Sequence, residues 1–228
     1  MNNNFGKLTR LFRNNQIDIN ACLDNVNRVY RPLSPAIYLY NKLITYHGDK
    51  FNRDFIELVY VTLDAWNMNS RGAKLLEFGK FENSILDNKN LLLKLKKFNI
   101  RNIELAFDDL HELFNKLKLV ETKAPLVTFT KTLHFMLPEL VVPIDRKYTL
   151  SFFGINNYQL NNNSYMVFEG IHRGFCEFAN KVAETGNDLI WYANNARKGN
   201  SAMTWLTSEA KIIDNIVIGY QKLYSKCI

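Results

Sequence analysis

Two segments of the chain hold residues whose types and spacing suit chemistry. In 128–148 an apolar run leads into Leu140-Val141-Val142-Pro143-Ile144. Asp145 follows, and then two cations, Arg146 and Lys147. An Asp in front of a helix accepts hydrogen bonds from the first-turn amides, and such bonds favour the ionised carboxylate. Two readings share that geometry. Asp145 is an ordinary cap of a helix over 146–153, or it is a fixed carboxylate that stabilises positive charge developing on a sugar bound through its phosphates. In 62–75 a buried helix ends in Trp66-Asn67-Met68-Asn69. Ser70 then stands as the cap of a new helix with Arg71 and Lys74 in its first turns. Cations there oppose the helix dipole. The cost makes sense if they serve a phosphate, which the same helix end attracts; otherwise the segment is a helix corner with solvated charges.

The elements that must position these residues read as helices. No proline occurs between Pro35 and Pro125, and apolar residues recur every three to four positions. Phe55, Ile56, Val59, Leu63 and Trp66 mark a buried helix over 51–66. Ile103, Phe107, Leu110 and Phe114 mark another over 103–117, with Asn102 as its cap. Ile212, Ile213, Ile216, Val217 and Tyr220 mark a third near the C-terminus, capped by Thr207 or Ser208. Weaker helical patterns cover 4–13, 35–47, 71–80, 87–97, 126–137, 146–153 and 164–185. The run 140–144 is short and holds a proline, so it reads as an extended connector. Surface loops are expected at 156–164 and 194–201. The expectation is a single all-α domain over 1–228, with two helical lobes meeting near 118–125 and a cleft between them.

Composition bounds the function. At 228 residues and 47% hydrophobic, the chain has the apolar mass for a core, which excludes disorder as its main state. Cys22, Cys176 and Cys227 form no CxxC pair, which argues against a zinc ribbon, an iron–sulfur cluster or a disulfide framework. No metal ligand set assembles from the spacing of histidines and acids, and no cofactor is expected. No uncharged apolar stretch is long enough for a membrane span. The polar opening MNNNFGKLTR has no apolar signal core, so a cytoplasmic protein is expected. A formal net charge of +7 invites an anionic partner.

Together the two segments resemble the helix-hairpin-helix superfamily of DNA glycosylases, over roughly 51–153. The apolar helix running into Trp66-Asn67-Met68-Asn69 and Ala73-Lys74-Leu75 is similar to the family's first block. Lys131-Thr132-Leu133 followed by Val142-Pro143-Ile144-Asp145 is similar to the second, which carries the catalytic Asp and, in some members, a Lys. The family's glycine-rich hairpin has no counterpart, since 125–130 reads Pro-Leu-Val-Thr-Phe-Thr.

The resemblance implies an all-α DNA glycosylase with a degenerate hairpin. It would flip a damaged or modified base out of double-stranded DNA, a hypermodified viral cytosine among the candidates, and cleave its N-glycosidic bond. Asp145 and Lys131 would be the catalytic pair, in a hydrolytic, monofunctional reaction. Trp66, Asn67, Met68 and Asn69 would fill the gap left by the base or line its pocket. Arg71, Lys74, Thr128, Thr130, Arg146 and Lys147 would hold the DNA backbone. An antiviral defence role fits a small stand-alone chain of this kind. The alternative is a non-catalytic nucleic-acid-binding module on the same scaffold.

Overall fold

A computed structural model describes residues 4–29, 34–69, 74–122, 125–198 and 207–224. Among the described residues the protein is all-α. Thirteen α-helical segments and two irregular helical turns carry the described residues, whose sole β feature is an isolated antiparallel bridge between Leu75 and Val120. The helices are α1 Lys7–Arg13, α2 Ile19–Val29, α3 Pro35–Ile44, α4 Arg53–Ala65, α5 Phe78–Asp87, α6 Lys89–Leu95, α7 Phe107–Lys116, α8 Leu126–Met136, α9 Ser151–Phe153, α10 Asn157–Asn162, α11 Ser164–Ala183, α12 Leu189–Lys198 and α13 Glu209–Tyr224. A 3-10 turn, Ile100–Ala106, precedes α7, and a π turn, Arg146–Leu150, precedes α9. One continuous cluster of buried side chains runs from Leu8 to Val217.

Local chemistry explains where the helices begin. Asn52 caps α4 by accepting from Phe55 N. Ser208 caps α13, its Oγ accepting from Lys211 N at 3.2 Å. The expected helix over 103–117 begins earlier and in two parts. Asn99 caps the 3-10 turn and Asn102 reaches back to the Asn99 amide, so Asn102 completes a capping box instead of standing first. The expected loop at 156–164 holds α10, because Asn156 and Gln159 form a second capping box. The expected loop at 194–201 is helical through Lys198 as the end of α12, and 199–206 lies outside the described residues.

The largest departure is α2, which is absent from the expected helices although its apolar residues recur at helical spacing. It is polar on one side, with Asn20, Asp24 and Asn25, and turns Ile19, Cys22, Leu23 and Val26 inward. It packs along α13. Gly219 permits that approach, since a Cβ there would lie 2.1 Å from the carbonyl oxygen of Cys22. The expected helix over 71–80 is also not there as drawn. Residues 74–77 are extended and α5 starts at Phe78, because Leu76 N bonds to Leu119 O and Glu121 N to Lys74 O. No described helix is long and apolar enough to cross a membrane.

Candidate functional site

The connector after α8 sets the position of Asp145. Leu140, in a turn closed on Leu137 O, and Val141, Val142 and Ile144 after it are all buried, and no strand among the described residues runs beside them to satisfy their backbone. Buried side chains do that work instead. His134 on α8 bonds to Val141 O at 2.8 Å through Nδ1 and to Tyr40 OH at 2.8 Å through Nε2. His172 on α11 meets the Val142 amide at 3.2 Å through Nε2, while its Nδ1 meets Phe168 O. Thr130 Oγ1 accepts from Ile144 N at 3.1 Å. Burial pushes the His134 imidazole down to about 3 and that of His172 down to about 4. Both are therefore neutral at pH 7. In a neutral ring one nitrogen donates and the other accepts: His134 donates through Nδ1 to Val141 O and accepts through Nε2 from Tyr40 OH, while His172 Nε2 lies 3.2 Å from both the amide and the carbonyl oxygen of Val142.

The connector delivers Asp145 to the head of the π turn. One carboxylate oxygen accepts from Lys147 N at 2.7 Å and from Tyr148 N at 3.2 Å. The other faces Lys131 Nζ at 3.9 Å. That separation is an ion pair and too long for a hydrogen bond. Asp145 is thus the helix cap that its place in the sequence implies, and a carboxylate with one oxygen turned to a buried cation. Lys131 is a buried residue on α8. Burial lowers its ammonium from the usual lysine range, Asp145 and Asp214 oppose that shift, and Lys211 adds to it.

These groups line a cavity of about 240 Å³, together with Ser34, Ala36, Ile37, Ala65, Trp66, Asn67, Pro143, Tyr148, Lys211, Asp214, Asn215 and Ile218. Trp66 forms part of the wall, its indole N–H donating to Ala36 O at 3.3 Å. The ammonium groups of Lys131 and Lys211 lie 5.3 and 5.5 Å from its ring centre. Lys211 and Asp214, both buried, pair at 2.6 Å. Burial pushes the Asp214 carboxyl up, and Lys211 works against that shift. Burying such charges gains little stability over apolar packing. Clustered in one cavity, they mark it as a candidate for chemistry.

Asn67 reaches the cavity by way of a helix stop. Helix α4 ends in a Schellman motif, with Met68 N bonding to Leu63 O and Asn67 N to Asp64 O. Asn67 holds the left-handed position, at φ 60°. Glycine usually fills this position, and Asn tolerates it.

The structure brings together Lys131, Asp145, Trp66 and Asn67, and separates others from them. Met68 is buried, with Thr128 donating to its sulfur at 3.7 Å. Thr128 and Thr130 are likewise buried, so neither is presented to a DNA backbone; Thr130 holds the connector. Asn69 is exposed and accepts from Leu75 N at 3.3 Å, closing the turn. Lys74 lies in the extended stretch, not in a helical first turn, and pairs with Glu121 at 2.7 Å. Arg71 lies outside the described residues. Arg146 and Lys147 are exposed beside Asp145, with Lys147 Nζ 5.4 Å from the Tyr148 ring centre.

Sequence reading misses Tyr148 and the three polar residues of α13: Lys211, Asp214 and Asn215. The signal is present in retrospect: polar residues at i, i+3 and i+4 share one face of a helix that is otherwise apolar nearly all round. Among the described residues no cluster of metal-ligating side chains forms. The chain matches no family model, no curated protein and no solved structure.

Proposed function

We propose that the protein is a DNA glycosylase that takes a flipped base into the Trp66–Tyr148 cavity and releases it by hydrolysis of the N-glycosidic bond. The carrying observation is the meeting of Lys131, on α8, and Asp145, at the head of the π turn, at 3.9 Å on one cavity wall. Both residues belong to the second of the two blocks on which the resemblance to helix-hairpin-helix glycosylases rests. A cavity of about 240 Å³ sits below the roughly 300–1,000 Å³ of drug-sized sites, which suits one heterocycle. A base stacked in a duplex reaches such a cavity only by leaving the helix.

The chemistry follows from the charges. The C1′–N bond breaks with its electron pair passing to the base. Positive charge develops on the sugar, and Asp145 stabilises it from a position fixed by two backbone amides before the reaction begins. Water adds to C1′, and Asp145 is placed to orient it and accept its proton. Lys131 holds the carboxylate and supplies a donor to the cavity. Arg146 and Lys147, exposed beside Asp145, would meet the flanking phosphates.

The test is base release from duplex DNA carrying damaged or modified bases, viral DNA with modified cytosines included. Abasic sites are expected with the wild type. With Asp145→Asn the rate should fall by at least ~100-fold, the loss typical of removing one electrostatic contact to a transition state. Unchanged release by Asp145→Asn would sink the mechanism. A strand nicked at the site and trapped on Lys131 by borohydride would replace water with the lysine amine as nucleophile. Salt-dependent binding that survives loss of Asp145, with no abasic product on any substrate, would mark a non-catalytic binding module.

A further inference from the structure

Lys211, Asp214, Asn215 and Ile218 occupy positions i, i+3, i+4 and i+7 of α13, and all four line the cavity. Asn215 is 1% exposed. Neither its Oδ1 nor its Nδ2 finds a hydrogen-bond partner among the described residues. A buried amide left unpaired at both ends destabilises the ligand-free protein, and a leucine of similar size would avoid that cost. Its neighbours on the helix show no such defect, since Lys211 and Asp214 satisfy each other at 2.6 Å.

We propose that the Asn215 amide is the recognition element of the cavity. It takes a planar heterocycle whose edge carries a carbonyl beside a ring N–H. The amide offers a donor and an acceptor side by side, which matches an edge presenting both. The terminal torsion of Asn is broad, so the amide turns to its ligand at little cost. The lysines decide which edge it is. Lys131 and Lys211 have only donors to offer, and the carboxylates beside them are engaged, Asp214 by Lys211 and Asp145 by two backbone amides, so an acceptor is favoured there. A lactam edge, as in guanine, hypoxanthine, uracil or thymine, places its carbonyl there and gives its N–H to Asn215 Oδ1. The amidine edge of adenine or cytosine would turn an exocyclic amino group toward the ammonium groups. The proposal rests on the glycosylase reading only in taking the heterocycle to be a flipped base.

The test is ligand-observed saturation-transfer NMR on the full chain with four free bases: hypoxanthine, uracil, adenine and cytosine. Hypoxanthine and uracil should bind the wild type, and adenine and cytosine should bind more weakly. Asn215→Leu should bind hypoxanthine at least about tenfold more weakly, the worth of one or two hydrogen bonds. Its Tm should nonetheless rise by roughly 2–4 °C, because the orphaned amide is gone. Asn215→Ser repeats the binding measurement should leucine not fit. The proposal is overturned if hypoxanthine binds the variants as it binds the wild type, if adenine and cytosine bind as well as the lactams, or if no base binds. Wild-type protein that binds hypoxanthine but releases nothing from DNA would overturn the glycosylase reading and support this one. Base release whose kcat/KM is unchanged in Asn215→Leu would do the reverse.

Discussion

Asp145 and Asn67 each do a backbone job that any protein of this fold needs, and each also faces the cavity. Separating the two roles requires substitutions that keep the backbone job. At Asn67 glycine does so. The left-handed conformation at φ 60° costs a non-glycine residue roughly 1 kcal/mol, so Asn67→Gly should leave the Schellman turn intact and hold or raise Tm. If the side chain contacts substrate, kcat/KM for base release should fall about tenfold, as for one lost hydrogen bond. A variant as active as wild type would reduce Asn67 to a helix stop. For Asp145 the matching substitution is Asn, which keeps an amide-accepting oxygen at the helix head and removes the charge. A loss of rate with little loss of Tm is the signature expected of a charge that acts on the reaction.

At the scale of elements, the connector 140–144 shows what a sequence displays and what it hides. That 141–144 continues no helix is legible, since a proline and β-branched residues in a short run disfavour one, whereas Leu140 closes a turn on Leu137 O. The placing of Asp145 at a helix head is legible too. What holds the connector is not legible, because His134, His172 and Thr130 come from two helices and lie up to 30 residues from the backbone they bond. The face of α13 is hidden for a related reason: Lys211, Asp214 and Asn215 become a site only when α4 and α8 bring Trp66 and Lys131 to meet them. Helix α2 has its apolar stripe in the sequence, Ile19, Cys22, Leu23 and Val26 at i, i+3, i+4 and i+7, but the asparagines and aspartate around it obscure that stripe, which is buried against α13. That last packing is testable. In Gly219→Ala a Cβ would lie 2.1 Å from Cys22 O, so stability should fall by about 3 kcal/mol and Tm by at least about 6 °C. Both histidines make the connector sensitive to pH. Their folded values, about 3 and about 4, lie below the unfolded value of ~6.5. The unfolded chain therefore takes up protons that the folded chain refuses. Their contribution is intact above the unfolded value and is lost as pH falls from there toward 4. Denaturant unfolding at pH 7 and pH 5 should show a loss of about 2 kcal/mol for each imidazole. Asp214 and Glu139, whose carboxyls are pushed up by burial, oppose this slope. The decisive quantity is thus the difference between wild type and His172→Gln, whose drop should be smaller by about 2 kcal/mol.

For the whole molecule, the excess of +7 matters less than where unpaired cations lie. Much of the basic surface is already committed: Lys74 to Glu121, Lys94 to Asp109, Lys116 to Glu112, and Arg173 to Glu104 and Glu169. Arg146 and Lys147 are exposed and enter no ion pair among the described residues, and they adjoin Asp145. Lys222 lies 5.7 Å from the Tyr148 ring centre, on the same side of the site, and its ammonium is held down by burial and by Lys147. A chain of this charge would bind duplex DNA weakly anywhere. The proposed function makes a sharper demand: if a nucleotide is flipped into the cavity, the phosphates on either side of it should fall at this rim. Neutralising each phosphate releases counterions and steepens the fall of log K with log salt by about 0.9. Replacing Arg146 and Lys147 together by Gln should therefore lower the salt slope by close to 2, measured by anisotropy on duplex DNA between 50 and 200 mM salt. Replacing Lys74 and Lys116, whose charges are already met by acids, should change it little. If the two pairs of substitutions lowered the slope equally, binding would be spread over the basic surface, and the cavity would lose its claim to be where the duplex is opened.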